Sequence, residues 1–309
     1  MPKTSILDCT FRDGGYNNDW TFGRKAKTRV PRFLAQAGIE TIEMGFLWDK
    51  GDYTRRQSLY TDPRDAEEFI PKGSTARYLL MVTYGRYDLA KLPPKGETRI
   101  DGLRIIFRPR QWREAMDFIA EVKDRGYFVS CNPMQTFKYT DAELSALLSR
   151  ANEARPDVLS IVDSFGSMFP TEVEAMARKF DDALAPGIAL GFHSHDNLGL
   201  ALPSSLRLAQ MGLKRDLVLD AALRGLGRGA GNLRTEIIAM WLNGHSGAGY
   251  NIDKIFEAID GYISVIHRRK PWRHDIIYGL SAMARIHPDY ATFLIEHKAG
   301  AGIANAVLS

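Results

Sequence analysis

Short apolar runs recur along the chain at residues 5–9, 41–46, 77–83, 103–107, 127–131, 158–162, 188–193 and 217–221, their starts roughly 20 to 40 residues apart. A pattern of helical period lies between most of them. In residues 110–125, Trp112, Ala115, Met116, Ile119 and Val122 recur at helical spacing, and Gly126 closes the segment. Thr140 precedes Glu143 at capping-box spacing, and Pro170-Thr171-Glu172 opens a further helix. Strand and helix in alternation predict a parallel sheet with crossover helices, and eight such units close naturally into a (β/α)₈, or TIM, barrel. A doubly wound open sheet is the competing arrangement. It would carry a glycine-rich turn after the first strand, where this chain has Asp8-Cys9-Thr10-Phe11-Arg12-Asp13. After about residue 245 the alternation stops. The expected division is a barrel over 1–245 and a helical extension packed on it over 246–309, with helix at 252–267, about 276–286 and about 290–297.

The length of 309 residues suits one such barrel, which takes ~250 residues. With 45% hydrophobic and 25% charged residues, the composition excludes a disordered, collagen-like or coiled-coil chain. Net charge is +4, too small an excess at this length to imply nucleic acid. The two cysteines, Cys9 and Cys131, cannot form a disulfide framework and are expected as buried thiols. No leader is expected in Met-Pro-Lys-Thr-Ser, and no apolar run approaches a membrane span. A reducing cytoplasm is the expected location.

In a barrel of this kind the reacting groups sit at the C-terminal ends of the strands. Nearly every run here ends in polar residues: Asp8, Arg12 and Asp13; Glu43; Arg108; Asn132 and Gln135; Asp163 and Ser164; His193, His195, Asp196 and Asn197; Asp220 and Arg224. Together they describe a ring of chemistry around one mouth, with Arg108, Asn132, Asp163 and Ser164 as candidates for holding substrate.

His193 and His195, two apart on a strand, point to one face, where both imidazoles can reach one metal ion. Taken alone, the pair fits two satisfied histidines at a strand end equally well. Asp13 is the best third ligand, because Gly14 and Gly15 let the backbone turn close to a bound group. Two histidines and a carboxylate leave positions open for substrate and suit Mn²⁺, Fe²⁺, Co²⁺ or Zn²⁺, with Mg²⁺ at lower affinity. Arg12 could pair with a buried carboxylate such as Glu43 and then face a substrate carboxylate or a developing oxyanion; the alternative is a loop arginine in solvent. The run from Gly225 to Asn232 is neither a Walker loop nor a dinucleotide fingerprint. It reads as a loop whose backbone approaches a ligand, or as a purely structural turn. Arg108-Pro109-Arg110 and His267-Arg268-Arg269-Lys270 read as solvated basic runs, and Tyr278 and Tyr290 as packing aromatics.

The segment Asp8 to Gly14, with Glu43, His193-Ser194-His195 and the loop through Gly231-Asn232, resembles the DRE-TIM metallolyases over roughly residues 4 to 240. That superfamily includes 4-hydroxy-2-oxovalerate aldolase, 3-hydroxy-3-methylglutaryl-CoA lyase and the isopropylmalate and homocitrate synthases. The resemblance implies that Asp13, His193 and His195 hold a divalent metal, with Asn232 where some members add a ligand. It implies that Arg12 steadies an enolate oxygen and that Glu43 is its acidic partner. Val162-Asp163-Ser164 and the run Gly227 to Asn232 place the aldolase-like subgroup nearest.

The departures bear on the substrate. Tyr16 stands where the aldolases have a histidine base, and a phenol with a pKa near ~10 is a poor base at neutral pH. Either Tyr16 acts as an acid, or another group is the base, or the substrate differs. The glycine loop lacks the cysteine of the hydroxymethylglutaryl-CoA lyases. The C-terminal part is shorter than the domain by which the aldolases dock their dehydrogenase, so no such partner is asserted. The expected function is a metal-dependent aldolase or carbon–carbon lyase on a 2-oxo acid, with Mn²⁺ or Mg²⁺ first among the metals and Co²⁺ or Zn²⁺ as others. The alternatives are a Claisen-type synthase using an acyl-CoA, and an inactive barrel serving as a scaffold. A homodimer is expected by analogy.

Overall fold

The computed structural model describes residues 2–308, so the end residues of the two predicted ranges, 1 and 309, lie outside the described residues. The strands are β1 (Thr4–Asp8), β2 (Thr41–Leu47), β3 (Leu59–Tyr60), β4 (Arg77–Thr83), β5 (Gly102–Phe107), β6 (Phe128–Pro133), β7 (Val158–Asp163), β8 (Ala189–Ser194) and β9 (Leu217–Ala221). All pairings among them are parallel, in the order β1-β9-β8-β7-β6-β5-β4-β2, and β1 pairs back onto β2 to close the ring. This is the eight-stranded TIM barrel, with β3 a two-residue addition beside β2. Each of the eight apolar runs is one of its strands.

The helices are α1 (Thr10–Asp13), α2 (Arg24–Gln36), α3 (Trp112–Asp124), α4 (Asp141–Ala154), α5 (Pro170–Ala183), α6 (Ala201–Ala209) and α7 (Thr235–Ser246). After the barrel come α8 (Ile252–Ala258), α9 (Ser264–Arg269), α10 (Ile276–Met283), α11 (Pro288–Glu296) and α12 (Ala301–Leu308). The capping box at Thr140 forms, with Thr140 Oγ1 accepting from Glu143 N at 3.2 Å. The connections from β2 to β5 hold only 3₁₀ turns, because Pro63, Pro71 and Pro93-Pro94 interrupt any longer helix. The predicted helix over 252–267 is α8 and α9 joined through a π stretch, Ile259–Ile263. The 245/246 boundary falls at the last residues of α7.

Alternation along the strands divides the apolar residues between two cores. Ile6, Ile42, Leu80, Leu103, Ile105 and Val129 face the helices and belong to the main core. Leu7, Cys9, Leu79 and Ala222 form a small cluster inside the barrel. The remaining inward positions are polar or charged: Glu43, Arg104, Asn132, His193 and Asp220 are all buried. Apolar layers usually fill a barrel of this type; here charge occupies the upper part of the interior. Helices α10, α11 and α12 pack on one another through Ile277, Ala291, Ala304 and Leu308. Tyr290, expected to pack, is 63% exposed instead, because α11 turns Ala291, not Tyr290, toward that cluster.

Asp8 faces outward at the end of β1, where its carboxylate accepts from Thr10 N at 3.0 Å and Thr235 Oγ1 at 2.8 Å. Burial outweighs these bonds and pushes the group up from 3.8 to about 6. Stability present below pH 3.8 is therefore lost as pH rises through 6, where the folded state must hold a buried charge that the unfolded chain leaves in water. An asparagine can keep both contacts without that charge. Asp8→Asn is expected to stabilise the protein at pH 8 by up to about 3 kcal/mol and to lose that advantage near pH 4. Urea denaturation at the two pH values checks this, and an equal effect at both would refute it.

Candidate metal centre and active site

Asp13 is carried by the single turn of α1, which begins immediately after β1. Three contacts hold that turn: Leu223 N donates to Thr10 Oγ1 at 2.8 Å, Ser58 Oγ to the Phe11 carbonyl at 2.6 Å, and Trp20 Nε1 to the Arg12 carbonyl at 2.8 Å. His193 is the penultimate residue of β8, and His195 lies just beyond the strand, bridged to Asn232 of the glycine loop. One ligand atom each from Asp13, His193 and His195 fall within 4.8 Å of one another, and all three residues are buried. His195 Nδ1 lies 3.9 Å from Asp13 Oδ2. His193 Nδ1 lies 3.0 Å from Asp220 Oδ2.

The glycine loop delivers Asn232. Its Nδ2 donates to Asp13 Oδ2 at 2.6 Å and to the Leu226 carbonyl at 3.1 Å, which fixes the amide orientation and leaves Oδ1 buried without a partner. Gly227 makes this approach feasible, since a Cβ there would lie 2.1 Å from Asn232 Nδ2 and 2.7 Å from Asp13 Oδ2. Gly231 has φ +110°, and a Cβ there would meet the Gly225 carbonyl at 2.2 Å. The loop is thus built around the site and is more than a turn.

Beneath the cluster runs a continuous chain of buried charge. Arg12 pairs with Asp13 through Nη1, and through Nε with Glu43 Oε2 at 2.8 Å. Arg104 reaches the same Glu43 oxygen at 3.1 Å, Asn132 Oδ1 at 2.9 Å, and Asp220. Asp220 then meets His193. The neighbouring guanidiniums hold the carboxyls of Asp13 and Asp220 below the usual range, against the burial that would raise them. Burial pushes His195 down to about 3, so its imidazole is neutral and fit to ligate.

These groups fit a divalent ion. Three carboxylates stand against two guanidiniums in a buried space, an excess of negative charge that a cation would offset. His195 Nδ1 and Asn232 Oδ1 are buried with no hydrogen-bond partner among the described residues. Neutral imidazole, carboxylate and amide oxygen together are a mixed N/O donor set.

The cluster opens into a cavity whose further lining includes Arg12, Tyr16, Asn132, Ser164, Arg228 and His287. Tyr16 packs edge-on against Trp20, and the Arg228 guanidinium lies 3.9 Å over its ring. Burial pushes its phenol up, so it stays protonated at neutral pH. Two expected substrate residues are placed elsewhere. Arg108 is exposed in the 3₁₀ turn that follows β5 and is absent from the cavity lining, because β5 ends one residue before it. Asp163 turns away to hold its own loop, accepting from Ser167 N at 2.9 Å and Met168 N at 3.0 Å. Asn132 and Ser164 do line the cavity. Asn132 is committed to Arg104 and Ser130, while Ser164 Oγ accepts from Gln135 N at 2.9 Å and keeps its own proton to donate. Two residues were not foreseen. Arg104 could have been noticed as an arginine inside an apolar strand, whereas His287 has no local signal.

The chain matches the HMGL-like family over residues 108–260. It is 27% identical over 260 residues to an oxaloacetate decarboxylase of Mycobacterium tuberculosis, covering 82% of this chain and 74% of that protein. It is also 27% identical over 239 residues to 4-hydroxy-2-oxovalerate aldolase 2 of Rhodococcus jostii, covering 77% of this chain and 68% of that one. Among solved structures, the N-terminal domain of a Bacteroides vulgatus protein provisionally named an aldolase superposes with a TM-score of 0.81 at 26% identity, covering 94% of this chain and 96% of that chain. No helix of the described residues is long and apolar enough to cross a membrane.

Proposed function

We propose that this chain, a metal-dependent carbon–carbon lyase of the DRE-TIM superfamily, cleaves a 4-hydroxy-2-oxo acid into an aldehyde and the enolate of a smaller 2-oxo acid such as pyruvate. The observation that carries this reading is the buried Asp13–His193–His195 cluster with Arg12 held rigidly beside it. A divalent ion bound by those three residues, with Asn232 as a further donor, would supply Lewis acidity toward the 2-oxo acid's carbonyl and carboxylate; Mn²⁺ and Mg²⁺ fit the role first.

The chain's own residues do the rest. Asp13 and Glu43 fix the Arg12 guanidinium through Nη1 and Nε, so Nη2 remains to meet the oxygen on which negative charge builds as the carbon–carbon bond breaks. Its geometry is set before substrate arrives, so none of its attraction is spent on ordering it. In this reading the Ser164 hydroxyl, whose proton is free while its oxygen accepts from Gln135 N, donates to the substrate carboxylate. Tyr16, protonated, can donate a hydrogen bond but cannot serve as the base.

That last point favours a second reading. Decarboxylation of oxaloacetate forms the same enolate without removing a hydroxyl proton, and the M. tuberculosis relative carries that name. The test is a substrate panel on protein stripped with chelator and then given Mn²⁺. The proposal expects metal-restored release of pyruvate from 4-hydroxy-2-oxopentanoate or a close analogue. Pyruvate from oxaloacetate and from none of the hydroxy acids would establish the decarboxylase instead. Free thiol released from acetyl-CoA plus a 2-oxo acid would mark a Claisen-type synthase, and no turnover with any of them would leave a binding protein.

A further inference from the structure

We infer that His287, on the turn entering α11, is the base that takes the substrate's hydroxyl proton, a role the position of Tyr16 cannot fill in this chain. The inference rests on the aldolase reading above. His287 belongs to the C-terminal extension, 92 residues beyond His195 and remote in sequence from the barrel strands, yet it lines the same cavity as Asp13, His193 and His195. Its ring stands edge-on to Phe165, with centroids 5.5 Å apart, so its position is set by packing as well as by polar contacts.

Two contacts of the ring ask for opposite tautomers. His287 Nε2 lies 3.2 Å from Arg228 Nη1, and a guanidinium can only donate, so that contact needs Nε2 without a proton. The proton then sits on Nδ1, which lies 3.5 Å from Asp289 Oδ2. Asp289 N also approaches Nδ1, at 3.3 Å, but that bond needs the tautomer that gives up Arg228. In the tautomer that faces Arg228, Nε2 can act as a general base when the substrate hydroxyl takes the place of Arg228 Nη1, with the Asp289 carboxylate 3.5 Å behind Nδ1. Arg228 is itself held, with Nε 3.5 Å from Asp289 Oδ1 and its guanidinium over Tyr16. Of the charged groups facing the ring, Arg228 and Lys138 disfavour a bound proton and Asp289 favours one; with burial added, the balance lies toward the neutral form.

In the cleavage direction, Nε2 accepts the proton of the 4-hydroxyl as C4 becomes the aldehyde carbon. The electron pair of the C3–C4 bond moves into the enolate, whose C3 then takes one proton from water, and His287 returns its own to solvent. The net change moves one proton from the hydroxyl to C3. Condensation is the reverse.

The test uses the full chain loaded with Mn²⁺ and compares wild type with His287→Gln in two assays: cleavage of 4-hydroxy-2-oxopentanoate, and deuterium exchange into the methyl group of pyruvate. His287→Gln is expected to lose about 100-fold or more in cleavage while methyl exchange persists, and added imidazole is expected to restore part of the cleavage lost by His287→Ala. Equal cleavage by wild type and His287→Gln would overturn the proposal and leave the aldolase reading intact. Loss of cleavage and exchange together, without imidazole rescue, would also overturn it, making His287 a packing residue. A wild type that exchanges the methyl protons but cleaves oxaloacetate alone would remove the aldolase reading and this inference with it.

Discussion

Asp13→Asn is expected to lose divalent-metal affinity by more than the roughly 100-fold typical of groups that merely support a ligand, and to lose turnover with it. The carboxylate is the one anionic member of the ligand cluster. Both of its neighbours are donors: Arg12 Nη1 on one oxygen, and Asn232 Nδ2 at 2.6 Å on the other. An asparagine must turn its NH₂ toward one of them, so either orientation sets donor against donor. The clash costs about 1–3 kcal/mol of stability, small enough for the chain to stay folded. Titration with Mn²⁺ followed by the ion's paramagnetic resonance, alongside thermal denaturation, separates the two effects. A folded variant that binds Mn²⁺ as the wild type does would remove Asp13 from the centre.

Arg104→Met is expected to be the most destabilising single change in the barrel interior. Arg104 is 1% exposed and is the only guanidinium or ammonium within ion-pair distance of Asp220 among the described residues. Removing it leaves a buried carboxylate without its counter-charge, a loss of about 3–5 kcal/mol. Asp220→Asn added to Arg104→Met should recover part of the lost stability, since the stranded charge goes with it. Urea denaturation of the two single variants and the double variant checks this. Additive losses would mean that the ion pair is not what Arg104 contributes.

The fold was legible because its repeat is written in hydrophobicity: eight buried parallel strands must each be an apolar run, and the helices between them carry caps that a reader can find. The candidate ligands were legible for a related reason. Two histidines two residues apart on a strand share a face whatever the rest of the chain does, and Asp13 follows a strand directly. What was not legible depends on direction and on distance. Arg108 and Asp163 stand at strand ends, but an end residue can turn toward the mouth, toward solvent or into its own loop, and these two took the last two courses. Arg104 escapes notice because Leu103, Ile105 and Ile106 make the strand read as apolar, although an arginine between buried neighbours must find a partner. His287 reaches the cavity only through the packing of the C-terminal helices on the barrel, and no spacing within residues 276–297 announces that.

Glu43 and the glycine loop show the other side of the same lesson. The sequence makes Glu43 the acidic partner of Arg12 and the glycine run a loop that approaches a ligand; in the structure Glu43 bridges Arg12 and Arg104, and Gly227 clears the space in which Asn232 meets Asp13. The resulting site is held from below by ion pairs and from above by the loop and the turn into α11. Substrate would therefore enter a site already ordered in charge and in shape.

The central claim is that this site makes the enolate of a 2-oxo acid. Deuterium exchange into the methyl group of pyruvate in D₂O tests it without knowledge of the aldehyde. The protein is stripped with chelator, assayed, and assayed again after addition of Mn²⁺. The account predicts exchange that appears only with the metal and is absent in Asp13→Asn. Exchange that survives chelation, or that Asp13→Asn retains, would contradict it.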